Sequence, residues 1–149
     1  MKKLIITRGI PGSGKSTTLE KAKIKDFTIS TDALRLLYES PIYLSNGRLS
    51  ISKSVNGIIW PFLFDLMEKK MKSGATVVID AVHPTVGDFK EYIQLAKKYN
   101  YEIACLDFTD VPTEYSEWNN QGRAEYAIVP EHAIKRFEAQ IEESAPLPE

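Results

Sequence analysis

Residues 9–17, GIPGSGKST, are the feature that most limits what this chain of 149 residues can fold into. They match the pattern G-x-x-x-x-G-K-[ST], with Gly9, Gly14, Lys15 and Ser16 at the fixed positions. Glycines let backbone N–H groups form an anion-binding nest, and the helix that follows such a loop adds further N–H groups. The motif predicts a site for ATP and Mg²⁺, because its lysine reaches the β- and γ-phosphates and its hydroxyl binds the metal. The residues that we assign to the nucleotide are Gly12, Ser13, Gly14, Lys15, Ser16 and Thr17.

Strand-like and helix-like runs alternate along the chain, which is typical of an α/β fold. The strand-like runs are almost continuously apolar, as expected of parallel strands that are covered on both faces. The sequence therefore predicts a doubly wound, mainly four-stranded parallel sheet with helices on both faces. We expect Thr31 to cap the second helix. Strands are predicted at 3–8, 27–30, 75–80 and 101–108, and helices at 15–24, 31–38, 54–73, 89–99 and 131–143.

Ligands of such sheets bind at the carboxyl ends of the strands. Gly9, Asp32, Asp80 and Asp110 all fall at the carboxyl ends of predicted strands, so we expect them at one edge of the sheet. Residues 39–54 contain a proline, an Asn-Gly pair and several serines, which indicates a loop near this edge. Loops in that position commonly contact the substrate or close over it.

Asp32 and Arg35 lie one helical turn apart at the end of the second strand. A carboxylate beside a phosphate-binding loop can take a proton from an acceptor hydroxyl, which makes Asp32 a candidate general base. An arginine one turn away can hold a phosphate or carboxylate of the acceptor molecule. The alternative is a helix-capping aspartate followed by a solvated arginine.

Asp80 ends the third strand and is the candidate partner of Ser16 in holding the metal. The alternative for Asp80 is an acid that ends a strand and caps the next helix. His83, just beyond it, is interpreted as a surface residue, and His132 as part of an exposed helix face.

Arg123 lies in a polar segment that contains glycine and precedes the last predicted helix. A mobile arginine in such a lid can neutralise charge in a phosphoryl-transfer transition state, and the alternative is a solvated loop residue. Three aromatic residues are candidates for stacking on a base. Of Tyr43, Trp60 and Trp118, Tyr43 is the strongest candidate because it lies in the loop on the acceptor side.

The bulk composition fits one globular domain, predicted to span residues 1–143, since 43% of the residues are hydrophobic and 26% are charged. The net charge of −1 gives no broad basic field for nucleic acid, although a short local groove would suffice. Cys105 is the single cysteine and is interpreted as a core residue, which fits a reducing cytoplasm. No apolar run is long enough for a membrane span or a signal peptide. Residues 144–149 are expected to form a tail or a linker toward a further domain or subunit.

The motifs together resemble the kinase domain of the phage polynucleotide 5′-kinase/3′-phosphatase family. The matching stretches are MKKLIITRGIPGSGKST, STDALR, VVIDAVHP and VPEHAI, in the same order over nearly the whole chain. The resemblance implies ATP-dependent phosphorylation of the 5′-hydroxyl of DNA or RNA. It assigns the phosphates to Lys15, Mg²⁺ to Ser16 and the general base to Asp32. It further assigns the acceptor's 3′-phosphate to Arg35 and the transferring phosphate to the lid residue Arg123.

The chain also departs from that family's pattern. Val82 and His83 stand where the family often has threonine and asparagine, and the lid supplies one arginine where the family often has two. Two other functions therefore stay open. One is a kinase for a small hydroxyl compound such as a nucleoside, a sugar or an antibiotic. The other is a nucleotide-dependent switch, against which Asp32 and Arg35 argue, because a switch needs no base aimed at an acceptor.

Overall fold

The computed structural model describes residues 2–52, 54–83 and 85–143. Strands and helices alternate over most of the chain, as the sequence predicts. The predicted tail, residues 144–149, lies outside the described residues. The strands are β1 Lys3–Arg8, β2 Thr28–Ser30, β3 Ile42–Tyr43, β4 Leu49–Ser50, β5 Val77–Asp80 and β6 Glu102–Asp107, and the helices are α1 Lys15–Lys21, α2 Thr31–Tyr38, α3 Asn56–Lys72, α4 Lys90–Tyr99, α5 Thr113–Gln121 and α6 Glu131–Glu143.

Four of the strands form one parallel sheet in the order β2-β5-β1-β6. Strand β1 lies between β5 and β6, with Ile5 opposite Val78 on one side and Ala104 on the other. The chain leaves β1 toward β2 and β5 on one side, and reaches β6 on the other. The carboxyl end of β1 is therefore a topological switch point, where ligands of open α/β sheets bind. The predicted four-stranded parallel sheet is confirmed.

The main hydrophobic core lies between one face of this sheet and the helices α2, α3 and α4. Helix α3 buries Ile59, Leu63, Met67 and Met71 on one stripe because these residues recur at every fourth position. The helix continues through Pro61, which lies on its exposed side. On the sheet, the buried side chains of this core are Leu4, Ile6, Ile29, Val77 and Ile79.

Several predicted boundaries are wrong by a few residues. Helix α1 ends at Lys21 rather than at residue 24, and the cap of α2 is Ser30, whose hydroxyl accepts from the Ala33 N–H at 3.3 Å. The segment predicted to be a loop contains the antiparallel hairpin of β3 and β4. Helix α5 was not predicted. None of the helices in the described residues is long and apolar enough to cross a membrane.

The interpretation of Cys105 as a core residue is wrong. Strand β6 pairs with β1 on one side and forms an edge of the four-stranded sheet. Cys105 and its neighbours Ile103 and Ala104 are exposed along this edge. An apolar, β-branched run does not reveal whether its strand is central or at the edge, and that position decides its burial.

Candidate functional site

The phosphate-binding loop connects β1 to α1 and has the backbone that its glycines permit. Gly12 and Gly14 have φ angles of +86° and +98°, a region that favours glycine. Gly14 is the N-cap of α1, so the first N–H groups of this helix open onto the loop. A Cβ atom on Gly12 would lie 2.1 Å from the carbonyl oxygen of Ser116 in α5. The loop is thus packed directly against α5.

Gly12 and Gly14 form a matched pair that tests the packing of the loop on α5. Alanine at either position is strained by about 1–2 kcal/mol because of its positive φ. At Gly14 the added methyl group meets open space, whereas at Gly12 it meets the α5 backbone. We expect Gly12→Ala to lower the free energy of unfolding by about 1–3 kcal/mol more than Gly14→Ala does. Chemical denaturation measures the difference, and equal losses would contradict this packing.

Lys15 contacts the backbone of the phosphate-binding loop. Its Nζ donates to the carbonyl oxygens of Gly9 and Ile10 over 2.7 and 2.9 Å, and the residue is buried. Burial lowers the pKa of Lys15 to about 8, and the charge of Arg123 lowers this pKa as well, while the Asp80 carboxylate opposes both effects. The ammonium group therefore stays charged at neutral pH and loses its proton in mildly alkaline solution.

We expect ATP binding to weaken as the pH rises above the Lys15 pKa of about 8. The charged amine binds phosphate, so above this pKa binding requires proton uptake, and the affinity falls by about tenfold per pH unit. Calorimetric titration with ATP from about pH 7 to about pH 10 measures the slope. Lys15→Arg is the control, since a guanidinium stays charged throughout and its affinity should be flat. If the ATP affinity of the parent changes with pH as little as that of Lys15→Arg, the assignment of Lys15 to the phosphates is wrong.

Ser16 and Asp80 are brought together at the mouth of the loop. The Ser16 hydroxyl donates to Oδ2 of Asp80 over 2.7 Å. Oδ1 of Asp80 accepts from the hydroxyl of Thr7 at 3.2 Å, and Thr7 is fully buried at the end of β1. A hydroxyl and a carboxylate are hard oxygen ligands that suit Mg²⁺. Sequence reasoning missed Thr7, whose one signal was a lone hydroxyl at the end of an apolar strand.

The interpretation of His83 as a surface residue is wrong. The side chain is 2% exposed, and its Nδ1 lies 2.6 Å from the Thr7 carbonyl oxygen. That oxygen can only accept, so Nδ1 carries the proton and Nε2 accepts from the Tyr92 hydroxyl at 2.8 Å. Burial lowers the pKa of His83 and favours this neutral form. The His83 carbonyl oxygen also accepts from Nε of Arg8 at 3.0 Å, so His83 braces the strand ends behind Asp80.

Asp32 contacts two arginines at the carboxyl edge of the sheet. Its Oδ1 accepts from NH1 of Arg35 at 2.9 Å, and its Oδ2 lies 3.4 Å from NH2 of Arg123. The Asp32 side chain is 38% exposed, so its carboxylate is accessible to a molecule that binds at this edge of the sheet. Since Ser30 caps α2, the Asp32 carboxylate is not the cap. The structure thus brings together the three residues that the sequence predicts for proton transfer, acceptor binding and charge neutralisation.

Arg123 lies in a short segment between α5 and α6 that is closed at its base by Asn120. The buried Asn120 side chain donates from Nδ2 to the Val129 carbonyl oxygen at 2.8 Å and accepts from the Val129 N–H at 3.0 Å. This pair of bonds joins the two ends of the segment, which extends from Gly122 to Ile128. This segment, which the sequence predicts to be a lid, places Arg123 beside Asp32. Sequence reasoning missed Asn120.

The hairpin of β3 and β4 is attached to the lid. The Leu49 N–H donates to Oε1 of Glu125 at 3.0 Å, and the Ile51 N–H donates to the Tyr126 carbonyl oxygen at 3.1 Å. Tyr43 on this hairpin is 78% exposed. Within residues 2–52, 54–83 and 85–143 no hydrogen bond or ring contact joins Tyr43 to the Asp32 group.

The other two aromatic candidates lie in different surroundings. Trp60 is partly buried and packs against the main core, with its ring centroid 6.1 Å from that of His83. Trp118 is 75% exposed on α5 and is free to stack on a ligand. His132 is exposed on α6, as predicted.

The sheet order and the loop at its switch point define a P-loop kinase-like fold, and solved structures share it. A chain of the Pnkp1/Rnl/Hen1 RNA repair complex superposes with a TM-score of 0.74 at 23% identity, over 94% of this chain and 44% of that chain. A chain of the AvrRxo1-ORF1:ORF2 complex with ATP gives 0.64 at 20% identity, over 95% and 47%. A protein from Chloroflexus aurantiacus described as a kinase gives 0.62 at 20%, over 98% and 82%.

These identities show the common fold alone, and this chain spans less than half the length of the first two chains. A family model described as an AAA domain, AAA_33, matches residues 4–144, and the chain belongs to this family. No curated protein matches the chain. The narrower resemblance to the phage polynucleotide kinases stays a prediction.

Proposed function

We propose that this chain is an ATP-dependent polynucleotide kinase, which transfers the γ-phosphate of ATP to the 5′-hydroxyl end of DNA or RNA. The observation that carries the proposal is the group around Asp32. A carboxylate that is not needed as a helix cap lies at the same sheet edge as the phosphate-binding loop, and each of its oxygens contacts an arginine. Such a group serves transfer to an acceptor and has no use in a protein that only binds nucleotide.

In the proposed reaction, Asp32 aligns the 5′-hydroxyl and accepts its proton. The acceptor oxygen forms a bond to the γ-phosphorus while the bond from that phosphorus to the β–γ bridging oxygen breaks, and ADP leaves. Lys15 binds the β- and γ-phosphates once its ammonium group leaves the carbonyl oxygens of the loop. Arg123 leaves Asp32 and neutralises charge on the transferring phosphoryl group. Arg35, fixed beside Asp32, binds the 3′-phosphate next to the reacting hydroxyl.

Ser16 and Asp80 are the residues that would hold Mg²⁺, because their oxygens meet at the mouth of the loop. A bound Mg²⁺ supplies positive charge that offsets the charge of the phosphates. Thr7 and His83 keep Asp80 in place from behind. Tyr43 on the exposed hairpin and Trp118 on α5 are the proposed stacking surfaces for bases.

The resemblance in the motifs and the neighbour from an RNA repair complex support a nucleic-acid acceptor. The net charge of −1 favours recognition of a chain end over binding along a long tract. The same near-neutral charge mildly favours the second candidate, a kinase for a small hydroxyl compound. We place the activity in the cytoplasm, where ATP is available and where the exposed Cys105 stays reduced.

A panel of acceptors tests the proposal. Labelled γ-phosphate is offered with 5′-hydroxyl oligonucleotides of DNA and RNA, a nucleoside 3′-monophosphate, a bare nucleoside, a sugar and an antibiotic with a free hydroxyl. We expect the highest kcat/KM for the oligonucleotides and the nucleoside 3′-monophosphate. Preferential transfer to a small hydroxyl compound would establish the second candidate, and hydrolysis of ATP without transfer to any acceptor would indicate a switch.

A further inference from the structure

Arg35 is held from two sides. Its NH1 donates to Asp32, and its Nε donates to Oδ1 of Asn56, each over 2.9 Å. These bonds leave three of the five N–H donors of the guanidinium. The Arg35 side chain is 14% exposed, whereas Asn56 is exposed at the start of α3. The arginine is therefore fixed in orientation, and Asn56 lies on its open side.

The chemistry of the guanidinium decides which way the Asn56 amide is turned. A guanidinium has donors and no acceptor, so only the carbonyl oxygen of Asn56 can face it. The Nδ2 group, with two N–H donors, then points away from Nε of Arg35. In the part of the chain that the structure describes, this Nδ2 donates to no other group. A Cβ atom on the adjacent Gly57 would also meet nothing within 4 Å, so the space beside the amide is open.

The segment that leads into Asn56 is tied to the helix that carries Arg35. The hydroxyls of Ser52 and Ser54 donate to Oε2 of Glu39 at 2.8 and 2.6 Å. Glu39 is the C-cap of α2. The same hydrogen bonds hold the pKa of Glu39 below its usual value, which keeps the acceptor of both bonds charged. Bonds at the C-terminal end of α2 thus help to place Asn56 beside Arg35.

We propose that Asn56 determines acceptor specificity, with its Nδ2 donating to an oxygen of the same acceptor phosphate that Arg35 binds. The inference deepens the proposed function and rests on it for the identity of that phosphate, the 3′-phosphate of the terminal nucleotide. The guanidinium and the amide together offer only donors toward the open side, which is the arrangement that an anion requires. Asn56 also keeps Arg35 in place, so it acts both as a contact and as a positioning residue.

Three variants separate these roles. Asn56→Asp keeps an acceptor for Nε of Arg35, but it loses both N–H donors and puts a negative charge against the phosphate. Asn56→Ala removes the contact and the support together. Asn100→Asp is the matched control, because it adds the same charge at the C-cap of α4, where the αL backbone suits Asp. Asn100 lies just before β6 and therefore near the amino ends of the parallel strands, whereas the site lies at their carboxyl ends.

Binding is measured by calorimetry with a 5′-deoxynucleoside 3′-phosphate, which carries the phosphate and lacks the reacting hydroxyl. Because Asn56→Asp loses a hydrogen bond to a charged group, it should weaken binding by roughly 10- to 100-fold. Asn100→Asp should bind like the parent. The preference of Asn56→Asp for the nucleoside 3′-monophosphate over the bare nucleoside, measured as a ratio of kcat/KM values, should fall by the same factor as binding.

Unchanged affinity of Asn56→Asp for the probe would overturn the inference, and so would an equal loss in Asn100→Asp. A parent that binds the probe no better than the 5′-deoxynucleoside without phosphate would also overturn it. A failure of the proposed function would give a different result from a failure of this inference. In that case the parent phosphorylates no 5′-hydroxyl nucleic acid, while a loss of probe binding confined to the Asn56 variants would still support the phosphate site.

Discussion

Replacement of Arg123 by Ala is expected to lower the rate of phosphate transfer by roughly 10³- to 10⁵-fold, the usual contribution of an arginine at a transferring phosphoryl group. NH2 of this arginine lies 3.4 Å from Oδ2 of Asp32, and among the residues that the structure describes Arg123 makes no hydrogen bond to the phosphate-binding loop. Its charge acts mainly on the transition state, so the affinity for ATP should stay within a few-fold of that of the parent. Single-turnover transfer and equilibrium binding of ATP, measured on the same samples, separate the two quantities.

Arg136→Ala is the matched control for Arg123→Ala, since Arg136 is exposed on α6 and contacts the ring of Phe137. It should transfer phosphate at the rate of the parent. A rate loss below about tenfold in Arg123→Ala, or about 1.4 kcal/mol in activation free energy, would make Arg123 a solvated lid residue. An equal loss of ATP affinity and rate would mean that Arg123 acts in ground-state binding.

Asp32→Asn is expected to bind ATP at least as well as the parent and to transfer phosphate roughly 10²- to 10⁴-fold more slowly. The amide can still accept a hydrogen bond from Arg35, but it cannot take the proton of the acceptor hydroxyl. Because Ser30 caps α2, the substitution does not remove the cap, and the helix should be unaffected. Single-turnover transfer under saturating ATP measures the loss.

Asp65→Asn controls for the substitution itself, since Asp65 lies on the outer surface of α3 and pairs there with Lys69. It should be fully active. If Asp32→Asn retains transfer close to that of the parent, Asp32 is not the base, and the proposed mechanism is wrong.

Much of the fold was predictable because it follows from local patterns. The bounds of β1, α2 and α6 agree with the predicted ranges, since each has a clear apolar period or turn signal at both ends. Helix α5 was missed because it buries Ser116 and Asn120 rather than an apolar stripe, so its sequence has no helical hydrophobic period. The hairpin was missed although its Asn-Gly turn is a known signal, because each of its strands has only two residues.

The candidate site was predictable where the motif fixes the chemistry, as for Lys15 and Ser16. The pairing of Asp80 with Ser16 followed from the rule that strand ends meet at one edge. The supporting residues were not predictable, because their bonds join residues far apart in sequence. Thr7 and His83 contact each other across 76 positions, and no local pattern encodes such a bond. The burial of His83 therefore reverses the usual expectation for a lone histidine after a strand.

The most direct test of the central claim is single-turnover transfer of label from γ-labelled ATP to an oligonucleotide with a 5′-hydroxyl. The same oligonucleotide with a 5′-phosphate serves as the blocked control, and a small hydroxyl compound competes in excess. The proposed function predicts label on the 5′ end of the first oligonucleotide only, with no loss to the competitor. Label on the small compound, or no label on either oligonucleotide while ATP is hydrolysed, would contradict it.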